Sequence, residues 1–174
     1  MTTAPGGRST RPVVLGMTPR QPELVLETAL RLARTLQTDL VCAQADPSSY
    51  VVEEHPDGSV DARPLDPDQP SWTSQPVDPG LAARLLVAGQ AHGVRVQVRA
   101  LAGDVAEALS HLAESLDAEM IVIGSRRGGV RASMHDIFGG SVTAHLIHRQ
   151  PRPVLVVPVD PASAGSEPPG EDGS

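Results

Sequence analysis

Residues Ile121 to Val157 read IVIGSRRGGVRASMHDIFGGSVTAHLIHRQPRPVLVV. The stretch is an apolar run, a glycine-rich segment, a short amphipathic run and a second apolar run. The first run, from Met120 to Ile123, is short and β-branched, which predicts a buried strand that Gly124 ends. Gly128, Gly129, Gly139 and Gly140 follow, interspersed with Arg126, Arg127 and Arg131. Ser141 then sits at the N-cap position of a helix that runs to Pro151. Glycines between a strand and a helix let backbone N–H groups approach an anion closely. Free N–H groups and the helix dipole at an N-cap favour negative charge by ~0.3–1 kcal/mol. Phosphate is therefore the first ligand to consider. A plain linker before a crossover helix fits the spacing as well.

Outward from this stretch, strands and helices alternate along the chain. Val13 to Leu15 form a short apolar strand that stops at Gly16. Thr18, Pro19 and Gln21 carry the cap, first-turn proline and capping-box signals of a helix start. Leu26, Ala29, Leu30, Ala33 and Leu36 recur at helical spacing. Residues 39–45 (DLVCAQA) make a second strand, with Cys42 an inert thiol in its middle. Leu81, Leu85, Leu86 and Ala88 mark a second helix that ends near Gly93. Val94, Val96, Val98 and Ala100 alternate with polar residues, which suits a half-exposed edge strand. Asp104 and Glu107 form a capping box for a third helix. Residues 153–158 form the last strand.

Two kinds of segment interrupt this pattern. Residues 1–10 and 160–174 have the Pro/Gly/polar composition of disordered tails. Residues 46–79 hold seven prolines and many acidic side chains, which predicts a long loop without regular structure. Trp72 and Tyr50 are its large rings, placed either as lid anchors over a ligand crevice or as surface side chains.

The alternation predicts an α/β fold with helices on both faces of a parallel sheet. The half-exposed third strand belongs at an edge and the apolar first and fourth strands belong in the middle. The order 3-2-1-4-5 satisfies both. Winding reverses between the first and fourth strands, so a ligand belongs outside their carboxyl ends. Those ends are Gly16-Met17-Thr18 and Gly124-Ser125-Arg126.

Composition removes several functions. A net charge of −7 and 2% aromatic content speak against nucleic-acid binding, which uses basic faces and stacking rings. All fourteen basic residues are Arg. The single cysteine allows no intrachain disulfide. No apolar run reaches the ~18 residues of a membrane span, and no apolar leader follows Met1, so the cytoplasm is the expected compartment. His145 and His148 share a helical face near His135, but the spacing falls short of a zinc pattern. Neither Ser133 nor Ser141 lies in a nucleophile elbow, so Asp136 and His135 do not complete a hydrolase site.

The end VIGSRRGG…FGGSVTAHLIHRQPRPVLVVP, with LAGDVAEALSHLAESLDAEMIVIGSR before it, resembles the universal stress protein family over residues 11–159. The resemblance implies a doubly wound five-stranded α/β domain of the adenine nucleotide alpha-hydrolase-like kind. It also implies a homodimeric stress-response module. By the same resemblance an adenine nucleotide, ATP with Mg²⁺, would be held by Gly16, Met17, Thr18, Ala45, Gly124, Ser125, Arg126, Arg127, Gly128, Gly140, Ser141 and Val142. The dimer would form through the last strand at Val154, Leu155, Val156 and Val157, an apolar edge. No catalytic residue is implied, although some slow ATPase activity is compatible with the fold. The chain departs from the nucleotide-binding pattern in three places. No Asp follows the first strand. Sixteen positions separate Gly124 from Gly140, three more than the pattern has. Ala45 replaces a larger aliphatic residue at the adenine. A nucleotide-independent interaction protein of the same fold is the alternative.

Overall fold

The computed structural model describes residues 9–18, 23–54, 60–64, 77–126 and 140–159. Five parallel strands form the main sheet: β1 (Val13–Gly16), β2 (Leu40–Asp46), β5 (Val96–Ala102), β6 (Met120–Arg126) and β7 (Val154–Val159). Their order is β5-β2-β1-β6-β7, which is the doubly wound 3-2-1-4-5 order of the strands expected from sequence. Four helices connect them: α1 (Glu23–Thr35), α2 (Pro79–His92), α3 (Val105–Ser115) and α4 (Gly140–Arg149).

β1 is central because each neighbour pairs along it. Val13 to Gly16 pair with Leu40 to Ala43 on one side, and Val13 to Leu15 with Met120 to Val122 on the other. A strand in that position has no wet face, which is why all three of its apolar residues are fully buried. Its side chains alternate between two cores. Val13 and Leu15 join Val25, Ala29, Leu30 and Leu85 beneath α1 and α2. Val14 joins Leu109, Leu112 and Leu146 beneath α3 and α4. Each fully buried Val or Leu contributes about 1.5–3 kcal/mol. Helices therefore cover both faces, and the strand ends project between them.

The Asp104 cap and the Gly93 terminus follow the sequence signals. Asp104 Oδ1 accepts from the N–H groups of Ala106 and Glu107 at 3.1 and 3.0 Å, which supplies the Asp half of the capping box. Asp78 caps α2 by accepting from Leu81 N at 2.8 Å. Gly93 closes α2 at φ 67°, a left-handed position that suits glycine. The Thr18 start signal leads into residues 19–22, outside the described residues.

Three expectations need correction. Residues 46–79 are not without regular structure: β3 (Ser49–Glu54) and β4 (Val60–Pro64) form an antiparallel ribbon. VDARP alternates and SYVVEE has a β-branched centre, which suits a ribbon, and Pro64 falls at the end of β4. β6 does not stop at Gly124 but runs to Arg126, because β7 offers partners as far as Val159. Ser141 is not an N-cap, since α4 begins at Gly140 and already includes it.

Cys42 lies in β2 with no exposed surface. Burial pushes its thiol up from 9.0 to about 12. The folded state holds that proton more tightly than the unfolded chain. This contribution to stability is therefore intact below about pH 9 and is lost as the pH rises from there toward 12. A thiol reagent at pH 8 should label Cys42 only in denaturant, as read by mass spectrometry; rapid labelling of the native protein would contradict this burial.

Candidate functional site

The strand order puts the reversal of winding between β1 and β6. Their carboxyl ends, Gly16-Met17-Thr18 and Gly124-Ser125-Arg126, therefore flank one crevice. Met17 is 5% exposed, and its N–H donates to Ala43 O at 2.8 Å, carrying the β1–β2 pairing one residue past the strand. Thr18 is exposed, and Gly124 is exposed with Ser125 half-buried beside it. Ala45 sits near the end of β2, half-buried. On the other side, Val142 in the first turn of α4 packs against the α3–α4 core. Gly140 and Ser141 open that helix. The site residues expected on β1, β2, β6 and α4 are thus gathered at one end of the sheet. Arg127 and Gly128 lie outside the described residues.

The two strand-end glycines have packing roles. A Cβ on Gly16 would come within 2.7 Å of Leu109 Cδ1 and 3.1 Å of Ile123 Cγ2. A Cβ on Gly124 would meet Val25 Cγ2 at 3.0 Å and Val159 Cγ2 at 3.4 Å. Neither glycine has a positive φ. Gly124 lets α1 settle against β6, and the same bare backbone faces the crevice.

The opposite end of the sheet carries ion pairs. Arg11 reaches Asp117 and Glu119 at 3.3 and 3.2 Å, Arg152 reaches Asp117 at 3.5 Å, and Arg95 reaches Asp39 at 3.8 Å. All these residues precede strands. These ion pairs lie at the amino ends of the strands.

Three polar residues near the crevice escaped the sequence reading. Asp46 ends β2, and its Oδ1 accepts from Ser48 N and Oγ at 2.9 and 2.6 Å. Its Oδ2 is buried without a partner among the described residues. It supplies a carboxylate at the end of β2 where none follows β1. Gln44 and Arg84 line a cleft of about 620 Å³ together with Asp78, Gly80 and Leu81. The signal for Gln44 was present: it is the one polar residue within the apolar run LVCAQA.

These features define a doubly wound α/β domain whose candidate site lies at its switch point. The chain belongs to the universal stress protein family, whose family model matches residues 10–158. Solved structures share the fold. A universal stress protein from Archaeoglobus fulgidus is 18% identical with a TM-score of 0.59, over 84% of this chain and 93% of that one. A universal stress protein in complex with cAMP is 20% identical with a TM-score of 0.56, over 86% and 98%. A universal stress protein family protein from Arabidopsis thaliana with AMP bound is 15% identical with a TM-score of 0.52, over 92% and 99%. Comparison with curated protein sequences yields no match. Among the described residues, no helix is long and apolar enough to cross a membrane.

The packing role of Gly124 has a direct consequence. Gly124→Ala should lower stability by about 1 kcal/mol through overpacking against Val25, or about 2–4 °C in Tm, with no ligand present. An unchanged melting temperature would show that Val25 yields freely and that Gly124 serves the crevice alone.

Proposed function

We propose that this protein is a homodimeric stress-response module that holds an adenine nucleotide across the β1–β6 crevice and binds it without a dedicated catalytic apparatus. The observation that carries this reading is the convergence of Gly16-Met17-Thr18 and Gly124-Ser125 at the switch point, with the glycine-rich segment leading from β6 into α4. Solved relatives of the same fold hold cAMP and AMP. Gly140, Ser141 and the backbone of the first turn of α4 would face phosphate, and Ala45 the adenine. ATP would bring Mg²⁺ with it, and Arg126, Arg127 and Gly128 would join the phosphate site.

The alternative is an interaction protein that needs no nucleotide. The absence of an Asp after β1 and the packing duty of Gly124 favour it. A ligand bound only to the folded state stabilises it by ~2.7 kcal/mol at a hundredfold excess over Kd. Nucleotide binding therefore predicts a clear rise in Tm with millimolar AMP or ATP, and adenine nucleotide released from the purified protein in mass spectrometry. A flat titration together with an empty protein would leave the interaction reading.

The dimer is proposed through β7. Among the described residues it pairs with β6 alone in the sheet, and an edge strand offers its outer backbone donors and acceptors to a partner. Leu155 is 38% exposed there. Leu155→Asp should convert a dimer into a monomer in light scattering while the fold persists by circular dichroism. A wild-type monomer, or a dimer unaffected by the change, would reject the β7 interface.

A further inference from the structure

The outer face of α2 lacks the charges that the outer faces of other helices carry. Glu23, Glu27, Arg31 and Arg34 are exposed on α1, and Glu107 and Glu114 on α3. α2 buries Leu85 and Gly89 against the sheet. Ala83, Leu86, Val87 and Gln90 lie away from that buried side, all exposed, with Leu86 at 46% and Val87 at 64%. Arg84 is the only Asp, Glu, Lys or Arg in the helix. A surface helix ordinarily opposes its apolar stripe with charged or polar residues, and a helix apolar all round is covered all round.

Size selects what covers this face. The stripe from Ala83 to Gln90 is roughly 10 Å long and 10 Å wide. A standard interface takes about 800 Å² from each partner, far more than this face offers a second copy. One large aromatic side chain, which buries about 150–250 Å², is of the matching size.

Such a side chain is tethered to the helix. Residues 65–76 (LDPDQPSWTSQP), outside the described residues, connect β4 to α2 and carry Trp72, the single tryptophan of the chain. The residues that flank this segment both lie near the carboxyl end of β2. Pro64 pairs with Ser49, whose Oγ donates to Asp46 O at 3.0 Å. Val77 is buried, and Asp78 shares a cleft with Gln44. Twelve residues reach about 40 Å when extended, which leaves ample slack. Trp72 lies within roughly 20 Å of chain from Asp78, and Val87 lies roughly 14 Å along the helix from it. Pro67, Pro70 and Pro76 narrow the unfolded alternatives, which lowers the entropic cost of holding the segment in place. Asp66 and Asp68 are opposite in charge to Arg84.

We propose that residues 65–76 dock on the outer face of α2, with the Trp72 ring laid across Ala83, Leu86 and Val87. Trp72 then belongs to α2 and not to the β1–β6 crevice, and its docking is independent of any nucleotide.

Fluorescence of the full chain tests this, because Trp72 is the sole indole. The wild type should emit as a shielded indole, resist acrylamide quenching, and stay unchanged on dilution or on addition of AMP. Val87→Glu and Ala83→Glu, both at exposed positions, should each shift the emission to longer wavelength and raise quenching severalfold, with circular dichroism retained. Arg31→Glu on α1 should change neither reading. A wild-type indole open to acrylamide, or a shielded one indifferent to V87E and A83E, would overturn the proposal. Shielding lost on dilution would assign the face to a second copy, and emission that moves with AMP would assign Trp72 to the crevice; either result overturns it as well.

Discussion

The structure depends on the double pairing of β1. A strand of four residues, Val13 to Gly16, is bonded to β2 on one side and β6 on the other. It carries side chains into both cores. Because it is paired on both edges and covered on both faces, it fixes where α1 and α3 must pack. It also fixes where winding reverses. The crevice outside its carboxyl end follows from that reversal and from nothing local.

Packing and ligand access compete at the same atoms. Gly16 and Gly124 are bare so that Leu109, Ile123 and Val25 can come close. The bare backbone that permits this contact is also what a phosphate could approach. A glycine at such a strand end therefore carries a structural duty before any functional one. The division between the two ends of the sheet is sharper. Arginine–carboxylate pairs at the amino end tie the starts of β1, β2, β5, β6 and β7 to one another or to neighbouring segments. Exposed pairs of this kind are individually weak, and they lie at the end of the sheet opposite the candidate site.

Much of this was legible in the residues. Strand order came from which runs were uniformly apolar and which alternated: VVL and MIVI read as central, VRVQVRA as an edge. The Asp104 cap, the Gly93 terminus and the family resemblance lay equally on the surface of the sequence. Other features did not. The β3–β4 ribbon was hidden by proline content, because composition over a long window outweighs the short runs SYVVEE and VDARP. The continuation of β6 past Gly124 was hidden because strand length is set by the partner β7 rather than by the strand itself.

The sequence by itself determined the class of fold, the switch point and the family. These depend on hydrophobic period and chain order, which are local quantities. Tertiary structure alone decided what surrounds the crevice. Residues distant in sequence, such as Gln44 and Arg84, meet at one cleft only after α2 docks on the sheet beside β5. The same docking of helices on the sheet decided that Gly124 must make room for Val25, since no local pattern records which side chain arrives from another element.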